Sequence, residues 1–179
     1  LAAQREKSSR MLRIATDLAE KVVANARSIR AAHEDEMLYK MAMLFFFSKA
    51  YKTYQAIRAL VEAGFEEDAF ALSRTVFELA LQARYMKEDP IPRAKLFAQH
   101  EPVARYRYHE QLKSLGDTQL IGEIESRTDE LAELKKWHDQ FAANYPKGRG
   151  WWGQNIRWLA EHLGAEMKKR YVGIYWMQS

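Results

Sequence analysis

The chain contains 179 residues, of which 47% are hydrophobic and 29% charged, and its formal net charge is +4. This balance excludes a disordered chain, and the length suits one domain with a substantial core. The absence of cysteine excludes a disulfide framework, a thiolate zinc site and a cysteine nucleophile.

With only four prolines and eight glycines, long stretches are free to be helical, and helical periodicity recurs along the chain. We therefore expect an all-α fold, a single-domain antiparallel bundle of five to seven helices over residues 1–179. No apolar block reaches the roughly 20 residues of a membrane span, and the first residues lack the apolar region of a signal peptide. We expect a cytoplasmic protein with no membrane partner. The predicted helices cover residues 4–32, 37–63, 66–87, 92–115, 120–144, 155–163 and 165–179.

Local signals set several of these boundaries. Gly64 suits the left-handed conformation at a helix C-terminus, and the short connection after it predicts an antiparallel packing of the second and third helices. Pro92 suits the first turn of the fourth helix. Pro102 lies inside that helix and removes a backbone donor, so we expect a kink or a split near Gln99. In the fifth helix the spacing points five apolar residues toward the core: Ile121, Ile124, Leu131, Leu134 and Trp137.

The third predicted helix carries two opposite charges, Arg74 and Glu78, one turn apart. On a helical wheel the pair lies within an apolar face, with polar residues confined to narrow flanks, so we expect it to be kept away from solvent. A buried pair is costly unless other groups satisfy it. Two interpretations stay open: a structural pair that fixes helix packing, and a site where Arg74 binds an anion while Glu78 orients it or moves a proton. The apolar residues around the pair are Phe70, Ala71, Phe77, Leu81 and Tyr85.

The residues around the pair also resemble a known family. The run AIRALVEAGFEEDAFALSRTVFELALQARYM, with its Arg-Thr-x-x-Glu core, is similar to the signature of bacterial proteins gathered as domain of unknown function family 5677. Near the C-terminus, Tyr175 and Ser179 match a Tyr and a Ser of the family's last segment, where a His follows. That family has no established activity, so the resemblance implies the helical fold and the Arg–Glu pair, and implies no reaction.

Positive charge is concentrated in residues 145–179, the C-terminal segment, which holds six Lys or Arg against two Glu, while the preceding residues are neutral. Four of the five tryptophans lie there too. Cations interleaved with aromatic rings suit a nucleic acid or another anionic ligand. Alternatively, the tryptophans complete the core while the cations stay hydrated.

Two weaker patterns fall in the same segment. Arg157 and His162 have the spacing of an Arg–His pair found in helical ribonucleases of prokaryotic defence and toxin systems, a spacing that chance also produces. GRGWWG, residues 148–153, has dinucleotide-motif spacing without a preceding strand, which leaves a phosphate cradle or a flexible connector. We expect no cofactor and no metal site.

Two hypotheses follow. The first is a helical interaction or regulatory module, a homodimer, with the Arg–Glu pair partly buried at its centre. The second is an RNA- or nucleotide-directed prokaryotic defence or toxin protein, including a ribonuclease, that uses the pair together with the C-terminal segment. The candidate binding residues are Arg74, Glu78, Tyr85, Arg157, His162 and Tyr175.

Overall fold

The computed structural model describes residues 33–116, 122, 128–146, 148 and 150–176, with residues 10, 13–14, 16–17, 20–22 and 24–25. These described residues form helices joined by turns, with no strand among them, and the all-α fold class is confirmed. Most of the predicted first helix, and Ile121 and Ile124 of the fifth, lie outside the described residues. The helices with defined bounds are α1 (Glu34–Glu62), α2 (Glu66–Glu88), α3 (Pro90–Leu115), α4 (Thr128–Asn144), α5 (Ile156–His162) and α6 (Ala165–Trp176).

A three-residue connection joins α1 to α2, and these two helices pack together more extensively than any other pair of described helices. Gly64 ends α1 with a φ of +85°, as its sequence position predicts. Both helices begin with three acidic residues, which the positive end of a helix dipole favours.

Helix α2 lies between two apolar clusters, because its two apolar faces point in different directions. Leu79 and Met86 pack with α1, α3 and the loop residue Trp151. Leu81 packs with Leu159 and Met167 of the last two helices. Leu81 and Met86 are fully buried, and burial of such a side chain stabilises the fold by about 1.5–3 kcal/mol.

Helix α3 contains three prolines. Pro92 lies in its first turn, as expected, but the start of the helix and the absence of a split at Pro102 differ from the expectation. It begins at Pro90, two residues before the predicted start, and it is not split at Pro102, since the helix runs unbroken to Leu115. A proline within a helix removes one backbone hydrogen bond. Burial of Ala94 before the proline, and of Val103 directly after it, holds both sides of the proline in the interior and offsets that loss.

Helix α4 packs on α3 through Leu134 and Phe141, which are buried. Trp137 was expected in the core, but it is 37% exposed. The buried face is centred on Leu134 and Phe141, and at about 100° per residue Trp137 falls on its edge. None of the helices of the described residues has both the length and the apolar character that crossing a membrane requires.

Candidate functional site

Three of the candidate residues meet where α2 and α6 pack together; we call Arg74, Glu78 and Tyr175 the Glu78 cluster. Arg74 Nε donates a hydrogen bond of 2.8 Å to Glu78 Oε1. The hydroxyl of Tyr175 donates to the same carboxylate oxygen. The guanidinium carbon of Arg74 lies 3.9 Å from the centroid of the Tyr175 ring, a cation–π contact. The Arg74–Glu78 pair therefore faces α6, and α6 supplies Tyr175, the third member of the cluster.

The Glu78 cluster lies at the edge of the protein and not within an apolar interior. The side chain of Arg74 is 44% exposed and that of Glu78 is 29% exposed, so the expectation that the pair is kept away from solvent is wrong for Arg74. The reason is that Tyr175 covers one side of the guanidinium and leaves the other to water. Glu78 remains partly buried.

The electrostatics of the cluster favour a fixed arrangement of charges. The hydrogen bond to Glu78 raises the pKa of Arg74, and burial together with the hydrogen bond to Glu78 raises the pKa of Tyr175. Tyr175 is therefore protonated at neutral pH and acts as a hydrogen-bond donor. A phenol in this state is suited to holding a carboxylate, whereas a general base or a nucleophile would need its pKa lowered.

Two further candidates, Tyr85 and His162, meet in a second group, the Glu88 cluster, with Glu88, Arg93 and Trp158. His162 Nε2 lies 3.0 Å from Glu88 Oε2, and Arg93 Nη1 donates to the same oxygen at 2.8 Å and to the backbone oxygen of Tyr85. The Arg93 guanidinium carbon lies 3.6 Å from the Tyr85 ring centroid. His162 stacks on Trp158, with centroids 4.9 Å apart.

The Glu88 cluster joins the end of α2, the start of α3 and the end of α5. Burial opposes ionisation of Glu88, but the hydrogen bonds from Arg93 and His162 outweigh it and lower the pKa of Glu88. Burial raises the pKa of Tyr85. Sequence reasoning missed the role of Glu88, because Glu88 lies just past the predicted end of the third helix. The available signal was the pair of opposite charges, Glu88 and Arg93, on either side of the boundary between α2 and α3.

Arg157 and His162 are not brought together. Five residues apart on a helix, they point about 140° away from each other. Arg157 is 68% exposed and pairs with Glu161 at 3.2 Å, while His162 turns to Glu88. Lys168 shares Glu161 at 3.2 Å, and Arg170 pairs with Glu166 at 2.9 Å. Both acidic residues of the C-terminal segment thus neutralise part of its positive charge.

The glycine-rich loop is folded onto the core. Trp151 is 3% exposed, and its Nε1 donates to Gln82 Oε1 of α2 at 2.9 Å. A Cβ added to Gly148 would lie 2.9 Å from backbone atoms of Gly153, so close packing accounts for these glycines. The side chain of Asn155 caps α5 by accepting from the backbone N of Trp158 at 2.9 Å. The loop therefore acts as a packed structural connector.

Two cavities of the described residues lie between α3 and α4, away from both clusters. One of ≈ 620 Å³ is lined by residues that include Tyr106, His109 and Leu131. Another of ≈ 190 Å³ is lined by residues that include Leu96 and Phe141. In the described ranges no group of three or more His, Asp or Glu side chains is placed to hold a metal ion.

The model of a family of unknown function, DUF5677, matches residues 40–179. The chain belongs to this family. The DUF5677 match includes all three members of the Glu78 cluster, and it confirms the resemblance inferred from the sequence. No curated protein and no solved structure matches this DUF5677 chain.

Proposed function

We propose that this protein is a non-catalytic helical interaction or regulatory module, a single cytoplasmic domain that acts as a homodimer. The observation that carries the proposal is that Glu78 Oε1 accepts hydrogen bonds from both Arg74 and Tyr175. The carboxylate is thereby committed to two groups of its own chain, one of them on another helix. That arrangement supports a structural role for the pair.

Large apolar side chains on the surface support the interaction role. Met41 and Phe45, one turn apart on α1, are 56% and 48% exposed. Exposed apolar residues of this size, where they are grouped, are a property of surfaces that bind other proteins.

The second candidate is an RNA- or nucleotide-directed defence or toxin protein, including a ribonuclease, that binds an anion through the C-terminal segment. The observation that favours it is the open side of Arg74 beside the Tyr175 hydroxyl, which leaves part of a guanidinium accessible to a phosphate. In this alternative Arg74 and Arg157 contact the phosphate.

One set of variants separates the two candidates. Thermal melting, RNA binding and RNA cleavage are measured for the wild type, Arg74→Ala and Glu78→Ala, with Arg58→Ala as control because Arg58 forms an ion pair of the same spacing with Glu62 at 2.8 Å. The module predicts no RNA binding or cleavage by the wild type and a lower Tm for both cluster variants. Variants that melt like the wild type but lose an RNA activity of the wild type would overturn the proposal.

A further inference from the structure

One face of α1 presents a row of large apolar side chains to solvent. Met37, Met41 and Phe45 follow one another at intervals of one turn and are 39%, 56% and 48% exposed. We call these three residues the α1 stripe. Ala42 and Phe46, the buried residues of α1, point to another side of the helix. The stripe borders that side at Phe45, whose ring centroid lies 5.8 Å from that of Phe46 and 5.6 Å from that of Phe97. Removing exposed apolar side chains from water under a partner lowers the free energy of the system.

Opposite charges border the stripe at its two ends. Glu34 and Lys52 are exposed and lie about five helical turns apart, so they share the face of the stripe. The acidic residues next to Glu34 form ion pairs within the chain: Asp35 with Lys95 at 2.7 Å and Glu36 with Lys40 at 2.6 Å. Within the described ranges, neither Glu34 nor Lys52 takes part in an ion pair.

Along this face, residues of complementary character lie at equal distances on either side of the level of Met43. Met41 and Phe45 are equally distant from that level, and so are Glu34 and Lys52. If the helix is laid antiparallel against a copy of itself, Glu34 meets Lys52, Met41 meets Phe45, and Met37 meets Lys49, whose ammonium nitrogen lies 5.8 Å from the Phe45 ring centroid of its own chain. A parallel arrangement would place Glu34 against Glu34 and is disfavoured by like-charge repulsion.

We propose that two copies of this chain associate through the α1 stripe, antiparallel, around a two-fold axis at the level of Met43. The proposal rests on the homodimer of the proposed function and names its surface. Met41 then packs on Phe45 of the second copy, a thioether–aromatic contact, and Glu34 pairs with Lys52 of the second copy. A two-fold interface uses the same surface on both subunits, so that surface must be complementary to itself. The face of α1 that carries the stripe meets this condition in its charges.

The first test measures the dimer Kd by sedimentation velocity from low to high micromolar concentrations, since one helix pair makes a small interface. The wild type is expected to dimerise, and Met41→Gln to raise the Kd at least about tenfold because the loss occurs twice per dimer. Val61→Gln is the matched control, since Val61 is on the same helix and 50% exposed but lies on another face. It is expected to leave the Kd unchanged.

The second test reverses the charges. Glu34→Lys and Lys52→Glu alone are expected to raise the Kd roughly threefold to tenfold, because two attractive pairs become repulsive. The double variant Glu34→Lys/Lys52→Glu is expected to restore the wild-type Kd, and this recovery does not depend on the apolar contacts.

The outcomes are distinguishable. A dimer that tolerates Met41→Gln, or one that the double charge reversal fails to restore, overturns the α1 surface and leaves the homodimer standing. A wild type that stays monomeric at every concentration overturns both the surface and the homodimer; it is the outcome expected if residues 1–32 of the same chain cover the stripe.

Discussion

The hydroxyl of Tyr175 donates a hydrogen bond to the carboxylate of Glu78, 97 residues earlier in the chain. An ion pair one turn apart on an exposed helix contributes little to stability, because water solvates both charges well. The phenol changes this. It converts the local pair of Arg74 and Glu78 into a tertiary contact that fixes α6 against α2.

Replacing Tyr175 with phenylalanine keeps the ring under the Arg74 guanidinium and removes the donor to Glu78. We expect Tyr175→Phe to lower the free energy of unfolding by about 1–2 kcal/mol, since the bond has a charged acceptor that is only partly exposed. For a chain of this size that corresponds to a fall in Tm of roughly 2–8 °C. Calorimetry measures the change.

The matched control is Glu62→Ala. Glu62 accepts from Arg58 with the same spacing and the same 2.8 Å distance as the cluster pair, but its side chain is 62% exposed. We expect no measurable change in Tm for Glu62→Ala and a clear decrease for Glu78→Ala. Equal effects would show that the tertiary contact to Tyr175 adds nothing.

The hydrogen bond from Trp151 to Gln82 is expected to hold the 145–153 loop on α2. Gln82→Met leaves the buried indole N–H without this acceptor and should cost about 1–3 kcal/mol of unfolding free energy. In a Trp151→Phe background the same change should cost about 1 kcal/mol less, because no indole donor remains. Urea unfolding of the wild type, the two single variants and the double variant gives the coupling free energy between Gln82 and Trp151. Additive losses of unfolding free energy would contradict the prediction.

Gly153 is expected to tolerate no side chain. Its φ of +77° is unfavourable for other residues, and an added Cβ would overlap the ring of Tyr145. We expect Gly153→Ala to lower the unfolding free energy by about 2–4 kcal/mol. Gly116→Ala separates the two causes. Gly116 has a φ of +71° but open space around it, so it should lose only about 1 kcal/mol. Similar losses at both positions would exclude a role for the Tyr145 contact.

His100 is expected to make stability depend on pH. Burial, together with the nearby positive charge of Arg107, lowers the pKa of His100 from 6.5 to about 4. Between these values the unfolded chain binds more protons than the folded protein, so stability is lost as the pH falls from 6.5 to 4. The contribution of His100 to this slope should be below about 1.4 kcal/mol per pH unit, because one imidazole binds at most one more proton in the unfolded chain than in the folded protein.

The measurement compares urea unfolding of the wild type with that of His100→Gln across this pH range. The variant should lose the part of the slope that His100 contributes and keep the part due to carboxylates. An NMR titration that places the pKa of His100 near 6.5 in the folded protein would contradict the expectation.

Local signals predicted several helix boundaries, because glycine, proline and acidic residues act on the backbone next to them. Gly64 and the acidic start of α2 mark boundaries that the structure confirms. Pro102 shows where this reasoning fails: its local preference for a break is overridden by burial of the residues around it, and burial depends on the tertiary fold.

The site was predictable in part. A helical wheel identified the direction in which Arg74 points, but it cannot show how far a neighbouring helix covers a side chain. Tyr175 entered the candidate set through the family resemblance and not through its spacing. The contact between Glu88 and His162 joins residues 74 positions apart, and no local pattern specifies such a distance.

The position of α2 between two apolar clusters has a consequence during synthesis. The face that carries Leu81 packs against residues of α5 and α6, and these leave the ribosome only after most of the chain has been made. At ordinary elongation rates this face of the nascent α1–α2 hairpin waits about 5–20 s for its cover. In that interval the hairpin exposes an apolar surface of the kind that chaperones recognise, and packing of α5 and α6 removes it from solvent.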